Sequence, residues 1–432
     1  MSELRTLADA FDAALQEAKI QKYTYTVSTS EKQELNVETG SFKLMRTVFN
    51  NNGSVSVFLG AKNGAANGND LSPEGIRKLV ADAIAAAESA PEDPCHDFGP
   101  DQGQKVFRQG VTEPDLDRFL DRTKELLDLI ARDYPKVRVM AAIAAFDRWN
   151  WISRNTNGTE FEGIGGQYSF SLEFSAMEGE QTTGIDFVGF STGDLDTPFI
   201  EMSDVRKHLE DVQKSLNPES VSGKFEGTVI FTPGCGNQFL SMLLENYATS
   251  GVIIDGTSLW LNKVGEKVCS DSLTVKFDPF DARIVMGERA TQDGYLTEPV
   301  TVIENGVLNC HMLNLYAANK TGRPLTKNTG WDLVVEPGTE SFEELVSSVD
   351  KGLLVGGFSG GQPGTNGEFS GVAKNSFLIE NGKVTKAVTE TMINGNLGEA
   401  FAHIRGISKE QICDGGSVMP YIAVDGIVIS GK

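Results

Sequence analysis

Hydrophobic residues along this chain follow two rhythms. At the start Leu4, Leu7, Phe11 and Leu15 recur every three or four positions, which predicts an amphipathic helix. Period-two runs follow at Tyr23–Ser30, Glu34–Thr39, Phe42–Phe49 and Ser54–Leu59, broken by Gly40 and by Asn51, Asn52 and Gly53, and predict an antiparallel meander. Helical spacing returns at Ile76, Leu79, Val80, Ala83, Ile84 and Ala87 behind Ser72 and Pro73, a residue pair suited to a helix start. The stretch 91–112 is rich in Pro, Gly and acid and reads as a connection. From Glu113 the order recurs: a helix through Leu116, Phe119, Leu120, Leu126, Leu127 and Ile130, strands over Val137–Phe146, Trp149–Asn155 and Tyr168–Phe190 with a hairpin turn at Asn157 and Gly158, and a helix over Val205–Leu216.

This layout predicts an α+β fold. An N-terminal half, 1–220, is built of repeated helix, antiparallel meander and helix units, a candidate duplication of 1–90 and 113–216. The half from 221 to 432 opens on a strand, turn and helix: Thr228–Thr232 is apolar and β-branched, Pro233 and Gly234 break it, and Phe239, Leu240, Leu243, Leu244 and Tyr247 take up helical spacing. Gly251 ends that helix and Val252–Ile254 reads as a second strand. Beyond Val268 the short alternating runs Leu273–Phe277, Val300–Ile303, Val307–Leu313, Asp332–Glu336, Phe377–Ile379 and Ile422–Ile429, with one helix at Ser341–Asp350, predict a mostly antiparallel β half, a sandwich or partly closed barrel.

Charge narrows the partners. With 38 basic and 60 acidic residues among 432, the net charge is −22, which repels phosphate and argues against direct contact with nucleic acid or an anionic membrane. No stretch approaches the ~20 apolar residues of a membrane span, and the N-terminus lacks a signal-peptide pattern. Five scattered cysteines without a Cys-x-x-Cys pair favour reduced thiols in the cytoplasm.

Candidate chemistry is sparse. A helical zinc site needs imidazoles converging on one ion with a carboxylate to activate water, yet residues 235–249 contain no histidine, and Glu245 reads as a solvated or capping carboxylate. The remaining possible ligands, His96, His311, His403 and Cys413, are scattered, and His96 reads as an exposed loop residue. Gly357–Gly361 satisfies Gly-x-Ser-x-Gly, with Glu380 or Glu390 and then His403 in the chain order of a serine hydrolase triad. The Gly361, Gln362, Pro363 and Gly364 that follow Ser359 forbid the helix such an elbow needs. Gly426 to Lys432 fits a phosphate-loop spacing without its Ser or Thr or its helix. The glycine-rich segment 353–382 suits backbone approach to an extended peptide, and Gly357, Ser359, Asn366, Phe369 and Ser370 are candidate groove residues.

Five stretches resemble the TldD/PmbA family (peptidase U62, "modulator of DNA gyrase"): SGKFEGTVIFTP, YLTEPVTVIENGVL, TNGEFSG followed by IENG, and the closing YIAVDGIVISGK. Metal-bearing TldD members carry His-Glu-x-x-x-His on the helix after the first of these. PmbA members, also called TldE, lack it, as does this chain, which has Ser241 and Asn246 near those positions and Glu245 beside them. The resemblance implies a metal-free, non-catalytic subunit of a cytoplasmic metallopeptidase complex. No cofactor is then expected in this chain; zinc sits in a TldD-like partner, with a homodimer where that partner is missing and extended peptides as substrates. The late cysteine that ligates metal in the catalytic branch has a broad counterpart in Cys413. The alternatives are that the chain is itself a metallo- or serine peptidase, or a self-associating peptide-binding protein.

Overall fold

The structure, a computed structural model, describes residues 2–431; Met1, the start of the stretch expected to be the first helix, and Lys432, the end of the Gly426 phosphate-loop spacing, lie outside them. Helix α1 (Ser2–Glu17) leads into β1 (Tyr23–Glu38), which turns at Thr39 and Gly40 into β2 (Ser41–Leu59) and then β3 (Lys62–Gly68). Helix α2 (Pro73–Ser89) follows, its first turn capped by the Ser72 side chain, which accepts from Gly75 N at 3.1 Å. After β4 (Gln104–Gly110) come α3 (Leu116–Asp133), β5 (Val137–Asn155), β6 (Glu160–Glu178), the two-residue β7 (Gln181–Thr182), β8 (Asp186–Thr192) and α4 (Val205–Lys214).

These strands make one sheet in the order β3-β2-β1-β5-β6-β4, with β7 and β8 also on β6; β4 alone in this order runs parallel to its neighbour. Both helix pairs cover the same face. Leu4, Phe11 and Leu15 of α1 and Ile76 and Val80 of α2 pack on Tyr25, Val27, Val55 and Val57 at one end. Phe119, Leu126 and Ile130 of α3 and Leu209 and Val212 of α4 pack on Phe146, Tyr168, Phe170 and Phe174 at the other.

Two turn-based expectations fail here for packing reasons. Asn51, Asn52 and Gly53 do not break the chain but run through the middle of β2. A Cβ at Gly53 would stand 2.8 Å from both the Phe11 ring and Leu71, so glycine is there to let α1 approach the sheet. Similarly, 91–112 is not wholly a connection, because β4 adds itself to β6 from Gln104 onward.

The second half has its own core around the closing strand Val418–Ser430, which pairs antiparallel with Lys224–Phe231, Ile404–Cys413 and Met392–Asn396. Its sheet is β-rich but mixed: Lys224–Phe231 runs parallel to Lys351–Val355, and further parallel pairings occur at Val334 with Val418 and at Val388 with Glu219. Helix α5 (Pro233–Tyr247) lies across this sheet and buries Phe239, Leu240, Leu243 and Tyr247. The expected strand at Val252–Ile254 is instead the short helix α6 (Ser250–Ile254), whose Ile253 packs on Leu313 and Ala317 beside α7 (Leu315–Thr321). Tertiary packing there overrides the β preference of Val and Ile. Two more short helices, α8 (Phe342–Ser347) and α9 (Leu397–Ala402), complete the half. No helix of the described residues is long and apolar enough to cross a membrane.

Candidate functional site

Helix α5 presents two neighbouring stripes, each repeating every four residues. One carries Gln238 and Asn246 toward the glycine-rich hairpin: Gln238 Nε2 donates to Phe358 O at 3.3 Å and Asn246 Nδ2 to Gly364 O at 3.1 Å. The adjacent stripe carries Asn237, Ser241 and Glu245 into a cleft of about 460 Å³, closed on its other sides by Phe277, Met312, Leu333 and the segment Thr329–Trp331. Trp331 is 78% exposed, an unusual state for so large a ring, and stands at the rim.

Of the three residues near the absent metal motif, the structure therefore brings Ser241 and Glu245 into one cleft and turns Asn246 to the hairpin. Ser241 Oγ donates to Asn237 Oδ1 at 3.3 Å, and Asn237 Nδ2 donates to Ser417 Oγ at 3.1 Å. The polar lining is thus an amide, one carboxylate and the hydroxyl residues Ser241, Thr249 and Thr329. Zinc favours imidazole nitrogen, thiolate sulfur and several carboxylate oxygens around one point, and this donor set does not fit it.

The glycine-rich residues divide by the pleat of their hairpin. Strand Gly357–Gly360 pairs antiparallel with Glu368–Lys374, with Phe358 opposite Ala373 and Ser359 opposite Val372. Phe358 and Phe369 share the inner face and enclose the Phe239 ring edge to face, with Phe239 centroids 5.0 Å from each. Gly357, Ser359 and Ser370 occupy the outer face, where Ser370 Oγ bonds Asn394. Asn366 stands in the turn between the strands, its carbonyl accepting from Asn396 Nδ2 at 2.7 Å. Ser359 lies within a strand with no helix after it, so the elbow geometry of a serine nucleophile is missing. His403, the third member of that order, turns its Nδ1 to Glu399 O of its own helix at 2.9 Å.

The scattered ligand candidates are also far from one task. His96 stacks on Tyr316 with centroids 4.3 Å apart, and His311 is buried with Nε2 donating to Trp260 O at 3.0 Å. Burial holds the Cys413 thiol up, and its sulfur donates to Arg283 O at 3.4 Å. Among the described residues no group of three or more His, Cys, Asp or Glu is arranged to hold a metal ion.

A second cleft, of about 300 Å³, opens where the two sheets meet, between β8 and α4 on one side and Pro233, Gly234, Gly356, Asp414 and Ser417 on the other. At its wall His208 lies between two carboxylates, Nδ1 2.9 Å from Asp186 and Nε2 3.3 Å from Asp204. Burial pulls the imidazole pKa down, but the hydrogen bonds and charges of Asp186 and Asp204 outweigh it, and the value is pushed up to about 10. Asp186 reaches across to accept from Asn375 Nδ2 at 2.6 Å, and Ser191 N donates to Asp414 O at 2.7 Å. His208 was not singled out by sequence reasoning, although Asp204, four residues before it at the N-cap of α4, was a usable signal.

The sequence profile of the PmbA/TldA metallopeptidase C-terminal domain matches residues 222–431, the half that contains α5 and its cleft. Residues 222–431 thus belong to the PmbA/TldD family. Metalloprotease PmbA of Escherichia coli O157:H7 is 25% identical to it over 95% of this chain and 92% of its own. The PmbA homolog of Haemophilus influenzae is 23% identical over 89% and 87% respectively. TldE from Thermococcus kodakarensis has the same fold, with a TM-score of 0.82 at 22% identity over 98% of this chain and all of that one. A Bacteroides thetaiotaomicron structure described as a modulator of DNA gyrase superposes with a TM-score of 0.83 at 22% identity and full coverage of both chains.

Proposed function

We propose that this PmbA/TldD-family chain is a metal-free, peptide-holding subunit that acts beside a metal-bearing partner of the same family in the cytoplasm. The observation that supports this reading best is the chemistry of the α5 cleft. A surface suited to apolar side chains, formed by Leu244, Phe277, Met312 and the exposed Trp331, stands where a metallopeptidase of this family would hold its ion, with Asn237, Ser241 and Glu245 of α5 and the threonines Thr249 and Thr329 as its polar residues. The rings and thioether offer an anchor for one side chain of an extended peptide. The outer face of the hairpin, with Gly357, Ser359, Asn366 and Ser370, offers hydroxyl, amide and backbone groups for its main chain. Phe369 supports that face from beneath.

The test is reconstitution. The purified chain is mixed with unstructured peptides, alone and with a family member that carries the His-Glu-x-x-x-His helix. Hydrolysis confined to the mixture, together with peptide binding by this chain that Trp331→Ala weakens about tenfold, supports the reading. Chelator-sensitive hydrolysis by this chain alone overturns it.

A further inference from the structure

Glu245 is the one charged residue lining the α5 cleft, and among the described residues its carboxylate has no hydrogen bond and no ion pair. Its own helix offers it nothing. Ser241 donates to Asn237 Oδ1, and the Thr249 hydroxyl donates to the Glu245 backbone carbonyl at 3.0 Å. Cations on the flanking elements are engaged elsewhere: Lys276, beside Phe277, pairs with Glu336, and Lys327, two residues before Thr329, pairs with Glu298. A second carboxylate, Glu288, stands behind the opposite lip, where it accepts from both the backbone N and the hydroxyl of Thr329. Both lips are therefore negative, with no cation in the lining.

The aromatic rim is equally free, and it is held in place. The Trp331 ring is exposed, and among the described residues it meets no other ring and no cation. Its loop is pinned by the buried Asn328, whose Nδ2 donates to Phe277 O at 3.3 Å and to Glu298 O at 2.9 Å and whose Oδ1 accepts from Gly330 N at 2.8 Å. Gly330 then turns with φ of +87°, a conformation that suits glycine and sets the indole out at the rim. Below it Leu244, Phe277, Met312 and Leu333 are buried and make an apolar floor. The cleft's volume of about 460 Å³ falls in the range of ligand-holding clefts, roughly 300–1,000 Å³.

Resting on the peptide-holding role proposed above, we infer that this cleft is an arginine subsite: it takes the guanidinium of an arginine in an extended peptide between the Glu245 carboxylate and the Trp331 ring, with the methylene stem on the apolar floor. An arginine side chain is an apolar stem ending in a flat cation, which matches a buried floor, a free ring face and a free carboxylate. A norleucine side chain fills the floor equally but covers Glu245 without giving it a donor, which is unfavourable. An acidic side chain is repelled from both lips. Lysine brings the charge but not the planar group that stacks on indole and reaches a carboxylate through two N–H groups. The net charge of −22 attracts any basic peptide to the whole surface; the cleft differs in asking for the cation at the end of an apolar stem.

The experiment measures binding of the full chain to one unstructured, uncharged host peptide with a single variable residue, arginine, lysine, norleucine or glutamate, by fluorescence anisotropy at low and at high salt. The arginine peptide is expected to bind about fivefold tighter than the norleucine peptide, with lysine between them and glutamate weakest, and the advantage narrows at high salt. In Glu245→Gln the arginine-to-norleucine ratio falls close to one, and Trp331→Ala removes the lead of arginine over lysine. Glu74→Gln, at an exposed carboxylate on α2, leaves the ratio as in wild type. Equal affinity for arginine and norleucine peptides overturns the subsite and leaves the holding role standing. An arginine advantage that survives Glu245→Gln, or that Glu74→Gln lowers as much, also overturns the subsite and assigns the preference to overall charge, as does a lead over lysine that survives Trp331→Ala. Binding of none of the four peptides overturns the holding role and the subsite together. The wild-type comparison of arginine with norleucine needs no variant to fold.

Discussion

Phe369 and Ser359 stand on paired strands of one hairpin yet face opposite ways, and that difference fixes what substitution at each would report. Phe369 meets Phe239 and Phe358 in the core, so Phe369→Ala leaves a cavity and should lower stability by about 3–5 kcal/mol in urea unfolding. Loss of peptide binding in that variant would reflect packing. Ser359 lies on the outer face, and Ser359→Ala should change stability by no more than about 0.5 kcal/mol, so any loss of peptide capture can be assigned to the groove. The sequence placed both residues in a glycine-rich segment but not on their faces, because Gly357, Gly360, Gly361, Gly364, Gly367 and Gly371 leave too few side chains to mark the alternation. The absence of histidine on α5 was legible outright. That Ser241 and Glu245 share a cleft while Asn246 does not was legible only through helical geometry, once the hairpin's position was known.

At the scale of elements, legibility followed the strength of the local signal. Ser72 and Pro73 announced α2 because the cap and the proline both favour one helix start whatever surrounds them. Ser72→Ala should cost about 1 kcal/mol, read as a drop in melting temperature, since it removes the oxygen that accepts from Gly75 N. Gly53 was misread because a glycine demanded by a neighbour looks, in sequence, like a glycine demanded by a turn. Gly40 was a true turn, with φ of +74° and open space around it, whereas Gly53 has Phe11 and Leu71 overhead. Substituting alanine should separate the two kinds. At Gly53 it forces α1 off the sheet and should destabilise by about 1–3 kcal/mol in thermal or urea unfolding, the range for overpacking. Strand β4 escaped notice because its run is short and exposed on one side; its partner lies far along the chain in β6.

For the whole molecule the question is what holds two sheets with separate cores in one arrangement. Part of the answer lies away from His208: Asp93, in the connection after α2, accepts from Lys320 Nζ at 2.7 Å and from the Tyr316 hydroxyl at 2.9 Å, both on α7. Another part runs through His208. As an imidazolium it satisfies Asp186 and Asp204 together, and Asp186 in turn holds Asn375 of the other sheet. The folded pKa of about 10 exceeds the ordinary histidine value, so the folded state binds this proton more tightly than the unfolded chain. Its contribution to stability is fully present below about pH 6.5 and declines as pH rises toward 10, where the proton leaves the folded form too. Between those limits the seam should loosen before either core melts. Amides of β8 and of Ser370–Ser376 should exchange faster at pH 9.5 than at pH 7, after correction for the intrinsic rate. In His208→Gln the seam should already be loose at pH 7 and the corrected pH dependence nearly flat, because glutamine bonds the two carboxylates without neutralising them. Equal corrected pH dependence in wild type and His208→Gln would show that the seam is held by the Asp93 contacts and by packing.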